Sequence, residues 1–223
     1  AVKACEAMRE KLVEKGAEYL ERTADEVDFD GSQVFCRDGS GAISLKDIGN
    51  RVMCNNGKAL EVTASHSSPV SPPPFMVGMA EIEMDMETYE YELINFVAAV
   101  DCGTPINPNL VRVQTEGGLG QGIGMAMFED VTRSQRGRVF ENSFMQYKLP
   151  TRMDVGHLQV EFESSYEPTG PFGVKSIGEV VINTPSPAIA GAVANAAGVW
   201  IRDLPITAEK IYMEAKGKKK ADN

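Results

Sequence analysis

The sequence predicts an α+β fold, in which mixed sheets pack against helices. Apolar and polar residues alternate with a period of two around residues 80–86 and 158–162, which is typical of half-buried strands. Apolar residues instead recur at spacings of three and four across residues 1–21 and 113–128, which is typical of helices packed on one face. The strands and helices do not follow a regular βα repeat, and this favours an α+β over an α/β architecture.

The composition of the 223 residues limits the classes of function. A hydrophobic fraction of 43% with 24% charged residues is typical of a globular protein with a sizeable core. The net charge of −10 argues against a nucleic-acid partner, because phosphate binding needs clustered Lys and Arg. The only basic run, Lys216–Lys220, falls within residues 216–223, which we expect to be a solvated tail. No apolar run reaches the roughly 18 residues of a transmembrane helix, so no membrane partner is expected.

Four cysteines and two histidines are scattered along the chain without a C-x-x-C pair. This spacing predicts no zinc or iron–sulfur ligand set within the chain, and so no metal held by its own side chains. The same pattern indicates free thiols in a reducing compartment. No basic-then-apolar leader precedes the first predicted helix, and we therefore expect a cytoplasmic protein.

The first part of the chain, residues 1–75, is predicted to be an α/β segment. Its first 21 residues form an amphipathic helix in which Lys, Glu and Arg separate the apolar positions. The chain begins inside this helix, which we interpret as the boundary of a fragment or a subunit. A strand pair or an extended segment is expected around Gln33–Cys36, closed by a turn at Asp38-Gly39. The apolar positions of the helix are Val2, Cys5, Met8, Leu12, Val13, Ala17 and Leu20.

A short helix and a proline-rich stretch complete this first part. Ser44 and Asp47 resemble a capping box, so we expect a helix over Leu45–Met53 that stops near Asn55-Asn56-Gly57. The segment Ser67–Pro74 cannot be a helix or a central strand, because its prolines lack amide donors. It is either a linker or an ordered surface loop.

The second part, residues 76–215, is predicted to be an α+β segment. A continuous apolar strand over Leu93–Val100 leads into residues 101–108, a loop rich in turn formers. A hairpin turn near Gly137 is expected between Val131 and Phe140. Alternation predicts two further strands, with inward positions at Ala80, Ile82, Met84 and Met86, then at Leu158, Val160 and Phe162.

Five glycines interrupt the helix predicted over Val113–Phe128. Each interior glycine destabilises a helix by roughly 0.8–1 kcal/mol relative to Ala, so the set costs about 4–5 kcal/mol. Either the helix packs very closely against another backbone, or its bare faces admit a bulky cofactor. In the second case the amides of Gln114 and Gln121 would face a polar, phosphate-bearing ligand. Gly117, Gly120 and Gly124 share one predicted face, and Gly118 and Gly122 share another.

A loop rich in Gly and Pro, residues 168–179, ends in Glu179 shortly before the next predicted helix. We place the N-cap of that helix at Ser186, with Pro187 in its first position. A glutamate on a rigid turn between two elements is a usual place for a catalytic group, and desolvation there would favour its action as a general base. The alternative is a structural carboxylate near the amides of the helix start. The predicted buried stripe of the helix is Ile189, Val193, Ala197 and Trp200.

Five motifs follow one another along the chain: Ala98–Pro108 (AAVDCGTPINP), the helix from Gln114 to Gly124, Tyr147–Thr151 (YKLPT), Gly170–Glu179 and Ser186–Thr207. In this order they resemble the C-terminal molybdopterin-binding region of the molybdenum hydroxylases, the xanthine dehydrogenase and aldehyde oxidase family. The resemblance covers most of the chain and is weakest across residues 22–75. The ordered set is specific, whereas one motif alone would be weak.

The resemblance implies a particular chemistry. In that family a molybdenum held by a pterin cofactor hydroxylates an electrophilic carbon with water as the oxygen source, while a glutamate accepts a proton. The resemblance therefore implies that Glu179 is the catalytic base and that Gln114 contacts the pterin, with Gly178 and Gln121 also beside the cofactor. It implies no protein side chain on the metal. Electrons are expected to leave through [2Fe-2S] clusters, usually to FAD, on partner subunits or domains.

The resemblance also implies partners and a substrate class. The cofactor is expected to be molybdopterin, in its cytosine dinucleotide form if the source is bacterial. A purine, another N-heteroaromatic compound or an aldehyde is the expected substrate. The expected partners are the remaining molybdopterin-binding half, an iron–sulfur subunit and an FAD subunit, so the chain alone should be inactive. Tyr89 departs from the family, which has Gly at this strand turn, and we expect this to affect only a surface hairpin. The alternative function is a non-catalytic assembly module of a larger redox complex.

Overall fold

The computed structural model describes residues 1–56 and 59–221, with side chains at all of these except 56 and 218–221. The first unit, Ala1–Pro69, contains α1 Val2–Leu20, a 3₁₀ turn Ala24–Glu26, β1 Val27–Phe29, β2 Gln33–Cys36, β3 Ala42–Ser44 and α2 Leu45–Asn56. The second unit, Val70–Asn223, contains β4 Phe75–Met84, β5 Tyr91–Asp101, α3 Pro108–Met127, β6 His157–Glu163, a 3₁₀ turn Pro171–Gly173, α4 Val180–Asn183, α5 Pro185–Ala197 and α6 Ala208–Ala221.

In the first unit, α1 packs against the antiparallel sheet β1-β2-β3 and against α2. Gly16 permits this approach, because an added Cβ would lie only 2.5 Å from Cγ1 of Val34. The helix predicted over residues 1–21 is confirmed, but Val2 and Cys5 of its apolar stripe are exposed because the core begins further along the helix. The core consists of Ala17, Val27, Val34, Cys36, Ile43, Ile48 and Val52.

The capping box predicted at the start of α2 is confirmed. The Oγ of Ser44 accepts a hydrogen bond from the amide of Asp47 at 3.1 Å and donates one to its carboxylate at 2.7 Å. The helix continues to Asn56 rather than ending at Met53. Its end at Asn56 confirms the stop predicted near Asn55-Asn56-Gly57, of which Gly57 lies outside the described residues. The proline-rich stretch before β4 contains no helix or strand, as its sequence predicts.

The second unit contains a mixed sheet of order β4-β5-β6, in which β4 is antiparallel and β6 parallel to β5. Both predicted alternations are confirmed, since the inward positions of β4 and β6 are buried or half-buried and their neighbours are exposed. Met86 is an exception: it lies beyond the end of β4 and is exposed. Because β5 and β6 run parallel, with Asp101 opposite Glu163, the chain leaves both strands at the same edge of the sheet.

Helices α3 and α5 pack against each other, and α5 also packs against β4. The helix α5 begins two residues earlier than predicted, because Pro185 occupies its first position and Thr184 is the N-cap. A proline is tolerated there, since the first amide of a helix has no partner. The predicted capping roles of Ser186 and Pro187 are therefore wrong, and both residues lie inside the first turn.

The predicted stripe of α5 is correct only in its first half. Ile189 and Val193 are fully buried, whereas Ala197 is only half-buried. Trp200 is 55% exposed, because Gly198 ends the helix in a left-handed conformation with φ of 71°. Together with residues of β5, β6 and α3, the two buried side chains form the core of this unit, which includes Phe96, Val100, Leu119, Ile123 and Val160.

The β4–β5 hairpin contains Tyr89, whose φ of 61° lies in the region that favours glycine. The expectation that this departure affects only the surface is wrong, because the Tyr89 side chain is buried. Its ring packs edge-on against Tyr212, with the ring centroids 6.1 Å apart. This burial of an aromatic ring helps to offset the backbone strain.

Residues 128–156 form no helix and no strand beyond a single bridge between Arg133 and Val139. That bridge confirms the turn predicted near Gly137, which has φ of 80°. The segment exposes three large apolar side chains almost fully, at 82% for Phe144, 81% for Met145 and 90% for Met153.

The basic end of the chain is helical, because α6 continues to Ala221 through residues that favour helix. Lys216 lies over the ring of Tyr212, with Nζ 5.2 Å from its centroid. The remainder of the expected solvated tail, side chains 218–221 and all of 222–223, lies outside the described residues. Among the described helices, none has the length and apolar composition needed to cross a membrane.

Candidate functional site

The candidate site begins where β5 and β6 end at a common edge of the sheet. There the glycine-rich loop before α4 lies against the residues that follow β5. The amide of Lys175 donates to the carbonyl of Cys102 at 2.7 Å, and the amide of Thr104 donates to the carbonyl of Gly173 at 2.8 Å. Gly103 has φ of 71°, and an added Cβ would overlap the Gly173 carbonyl oxygen. Only glycine permits this approach of the two backbones.

An ion pair joins the same two segments. The Nζ of Lys175 lies 2.7 Å from Oδ2 of Asp101, and the two side chains are only 10% and 21% exposed. The other carboxylate oxygen of Asp101 accepts hydrogen bonds from Oγ of Ser165 at 2.6 Å and from the amide of Gly103 at 3.0 Å. The Lys175 ammonium, together with these two donors, lowers the pKa of Asp101 to about 2. The carboxylate is therefore charged at neutral pH.

Two glycines of α3 form a groove that receives α4 and the start of α5. An added Cβ on Gly118 would overlap the fully buried side chain of Val181. One added to Gly122 would lie 2.7 Å from Cγ of Pro185. Because α4 follows Glu179 directly, the groove fixes the backbone on the C-terminal side of the candidate base.

The other three glycines of α3 differ from one another. An added Cβ on Gly117 or Gly120 would meet no described atom within 4 Å, so part of the helix surface is open there. Gly124 lies on the same face of α3 as Gly117 and Gly120, as predicted, but it is buried there under the side chains of Glu129 and Pro150. Close packing therefore explains three of the five glycines, and the other two leave a bare surface.

The structure brings three of the four predicted site residues together. The Nε2 of Gln114 lies 3.5 Å from the carbonyl oxygen of Gly178, at the long limit of a hydrogen bond, and Glu179 is the next residue. Glu179 is the N-cap residue of α4; its side chain is exposed and makes no capping hydrogen bond. Gln121 lies about two turns further along α3 and is also exposed.

Asp101, Ser165 and Lys175 were not predicted as site residues. Asp101 and Lys175 are 74 positions apart, and their meeting depends on where the chain returns after β6. Asp101 and Ser165 meet because β6 is parallel to β5, which spacing along the sequence does not reveal. The local indication was a charged residue within each of two motifs rich in turn formers, Asp101 in residues 98–108 and Lys175 in residues 170–179.

The exposed side of α3 suits an organic cofactor that carries its own metal ligands. Gln114 and Gln121 offer amides that can both donate and accept hydrogen bonds, as a pterin ring and phosphates require. Gly117 and Gly120 present no side chain and meet no described atom, so a large ligand can approach the helix closely at these two positions. Within the described parts of the chain, no group of three or more His, Cys, Asp or Glu side chains could hold a metal ion.

Comparison with known proteins gives the family of this α+β chain. A family model described as the molybdopterin cofactor-binding domain matches residues 1–156. The chain belongs to this family, and its relatives include a xanthine dehydrogenase molybdenum-binding subunit and a carbon monoxide dehydrogenase large chain. The family and the α+β fold predicted from the sequence are both confirmed. The matched residues end before Glu179.

The relatives that resemble this chain are much longer than it is. Probable hypoxanthine oxidase XdhD of Escherichia coli (strain K12) is 33% identical over 213 residues, which are 93% of this chain and 22% of that protein. The 6-hydroxypseudooxynicotine dehydrogenase complex subunit gamma of Paenarthrobacter nicotinovorans is 30% identical over 231 residues, covering 100% of this chain and 29% of that protein. The chain thus spans less than a third of either relative.

Two solved structures share the fold over nearly the whole chain. Quinoline 2-oxidoreductase from Pseudomonas putida 86 matches with a TM-score of 0.74 and 25% identity, over 96% of this chain and 29% of that one. The Cu,Mo-CO dehydrogenase in its carbon monoxide reduced state matches with a TM-score of 0.75 over 96% of this chain and 28% of that one. Its identity is 23%, so this likeness shows the fold alone.

We predict that Gly118→Ala destabilises the protein, because the new Cβ overlaps Val181 and forces α4 away from α3. Overpacking of this kind costs about 1–3 kcal/mol. The matched control is Gly191→Ala in α5, where an added Cβ meets no described atom and alanine favours the helix by about 0.8–1 kcal/mol. Thermal unfolding of the protein carrying each substitution measures the difference. Equal unfolding temperatures for the two variants would contradict the close packing of α4 against Gly118.

We predict that Asp101 stabilises the fold in a pH-dependent way. Its pKa is about 2 in the folded protein, below the ordinary value of 3.8, so the stabilisation is complete above about pH 4 and is lost as the pH falls towards 2. The free energies of unfolding of wild type and Asp101→Asn, measured from pH 7 to pH 2, should therefore converge in acid. A difference that stays constant over this range would show that the Asp101 charge is not stabilised by Lys175.

Proposed function

We propose that this chain supplies part of the molybdopterin site and the general base of a molybdenum hydroxylase. The enzyme would hydroxylate an N-heteroaromatic, purine-like compound or an aldehyde, with water as the oxygen source. One observation carries the proposal: the Gln114 amide lies 3.5 Å from the carbonyl of Gly178, directly beside Glu179. A candidate cofactor contact and a candidate base thus meet at one point on the open side of α3.

In this proposal the exposed side of α3 holds the cofactor. The amides of Gln114 and Gln121 hydrogen-bond to it, and Gly178 approaches it without a side chain. When bound, the molybdenum cofactor supplies the oxidation and the oxygen that is derived from water. No ligand for the metal is required from this chain in this proposal.

Glu179 acts as the proton acceptor in this proposal. Its carboxylate makes no capping hydrogen bond, so both oxygens are free to take up a proton. Its backbone is fixed on both sides, by the loop contacts with residues 102–104 and by the seat of Val181 against α3. A fixed backbone with an uncommitted carboxylate is the arrangement that a general base requires.

The relatives support the substrate class and the partners that we propose. Their names include hypoxanthine, nicotine and quinoline, all of which are N-heteroaromatic compounds. They come from bacteria, in line with the cytosine dinucleotide form of the cofactor. Several are called a subunit or a large chain of an enzyme. We therefore propose that the remaining molybdopterin-binding part, a [2Fe-2S] subunit and an FAD subunit complete the enzyme, and that this chain is inactive alone.

A non-catalytic assembly module is the second candidate function. The exposed apolar side chains Phe144, Met145 and Met153 favour it, because such groups usually bind another protein surface. In that case Glu179 would serve only as the residue that begins α4.

The two functions predict different behaviour for Glu179→Gln in the assembled enzyme. If Glu179 is the base, kcat should fall by roughly 10²–10⁴-fold while the molybdenum content stays unchanged. Glu161→Gln is the control, since Glu161 is exposed on β6 and belongs to no part of the site. Unchanged turnover of Glu179→Gln would favour the assembly module.

Gln114→Ala should instead reduce the molybdenum bound per protein, with Gln159→Ala on β6 as its control.

A further inference from the structure

We infer that Lys175 is a positioning residue, which holds the catalytic loop in place through its buried ion pair with Asp101. This inference rests on the proposed role of Glu179 as the base. Lys175 precedes Glu179 by four residues, and its partner Asp101 is the last residue of β5, the middle strand of the β4-β5-β6 sheet. The ion pair therefore connects a rigid element to the loop that carries the base.

Both charged groups of this ion pair have structural partners. Asp101 accepts from Lys175, Ser165 and the amide of Gly103, at distances between 2.6 and 3.0 Å. The Nζ of Lys175 also lies 5.5 Å from the ring centroid of Phe75. With its ammonium engaged and only 10% of its side chain exposed, Lys175 is not free to touch a substrate. Its effect on the reaction must pass through the loop.

Beyond the backbone hydrogen bonds that join residues 173–175 to residues 102–104, few contacts hold the loop on this side of Glu179. Among the described residues, one hydrogen bond joins the loop between Lys175 and Glu179 to the rest of the fold. It runs from the Gln114 amide to the Gly178 carbonyl at 3.5 Å, which is long and therefore weak. Ile177 is half-buried against the core. The hydrogen bond that the Lys175 amide donates to the Cys102 carbonyl, at 2.7 Å, lies within the segment that the ion pair closes. Loss of the pair would leave a charge without its partner and release this segment.

Lys175→Met tests the inference in the assembled enzyme. A shift of the base by about 1 Å can lower the rate roughly 100-fold, so we expect kcat per molybdenum to fall by roughly 10–100-fold with KM nearly unchanged. Lys175→Arg keeps the charge and should restore part of the rate. The matched control is Lys210→Met. This substitution likewise removes an ammonium that donates hydrogen bonds within the fold, in this case to the carbonyls of Asp203 and Pro205, but Lys210 is not part of the loop. It should leave kcat unchanged.

Hydrogen exchange provides a readout that does not depend on turnover. In Lys175→Met the amides of residues 173–179 should exchange faster, while those of β4 and α5 keep their wild-type rates. If Lys175→Met does not assemble, Ser165→Ala gives the test instead. It leaves the ion pair and removes one hydrogen bond to Asp101, so it should cause smaller changes of the same kind. Unchanged exchange in whichever of these variants assembles would overturn the inference.

A double substitution separates this inference from the proposed function. If Lys175 acts only by positioning Glu179, Lys175→Met should cause no further loss of turnover in a Glu179→Gln background. A further loss of the full 10–100-fold there would overturn the positioning role. If Glu179→Gln inactivates the enzyme but Lys175→Met keeps wild-type kcat, the inference fails and the proposed function stands. If Glu179→Gln retains full turnover, the proposed function itself fails.

Discussion

The place of Glu179 depends on two close approaches between backbones. On its N-terminal side, the glycine-rich loop lies against the end of β5, where Gly103 leaves room and the Asp101–Lys175 ion pair closes the contact. On its C-terminal side, α4 lies in the glycine groove of α3. The roughly 2 kcal/mol that Gly118 and Gly122 together remove from the stability of the helix is thus linked to packing that fixes the site. Absent side chains, more than present ones, determine the geometry here.

Local sequence patterns account for much of this fold. Strands β4 and β6 follow from their alternation, and the capping box gives the start of α2, because each depends on residues close together in the chain. Long-range pairing could not be derived in this way, and so the contact of Asp101 with Lys175 was missed. The start of α5 was misplaced for a different reason. Thr184 and Ser186 are both followed by proline, so the local sequence could not choose between them.

The chain presents surfaces that suit a part of a larger enzyme. Its relatives are more than three times as long, with this chain matching 22% of one and 29% of another. The open side of α3 carries the amides and bare glycines that we assign to the cofactor, and Glu179 is exposed beside it. If the remaining molybdopterin-binding part covers this carboxylate in the assembled enzyme, it would exclude water from the carboxylate and favour its action as a base. The exposure of Glu179 in this chain alone is therefore compatible with a catalytic residue that is buried in the assembled enzyme.

The most direct test of the central claim is a crystal structure of the assembled enzyme with its cofactor bound. We expect the Glu179 carboxylate within hydrogen-bonding distance of the groups around molybdenum, with the Gln114 amide in contact with the pterin. The loop should stay anchored to β5 by the Asp101–Lys175 pair, as it is here. A Glu179 side chain directed into solvent, with the cofactor bound away from the open side of α3, would contradict the account.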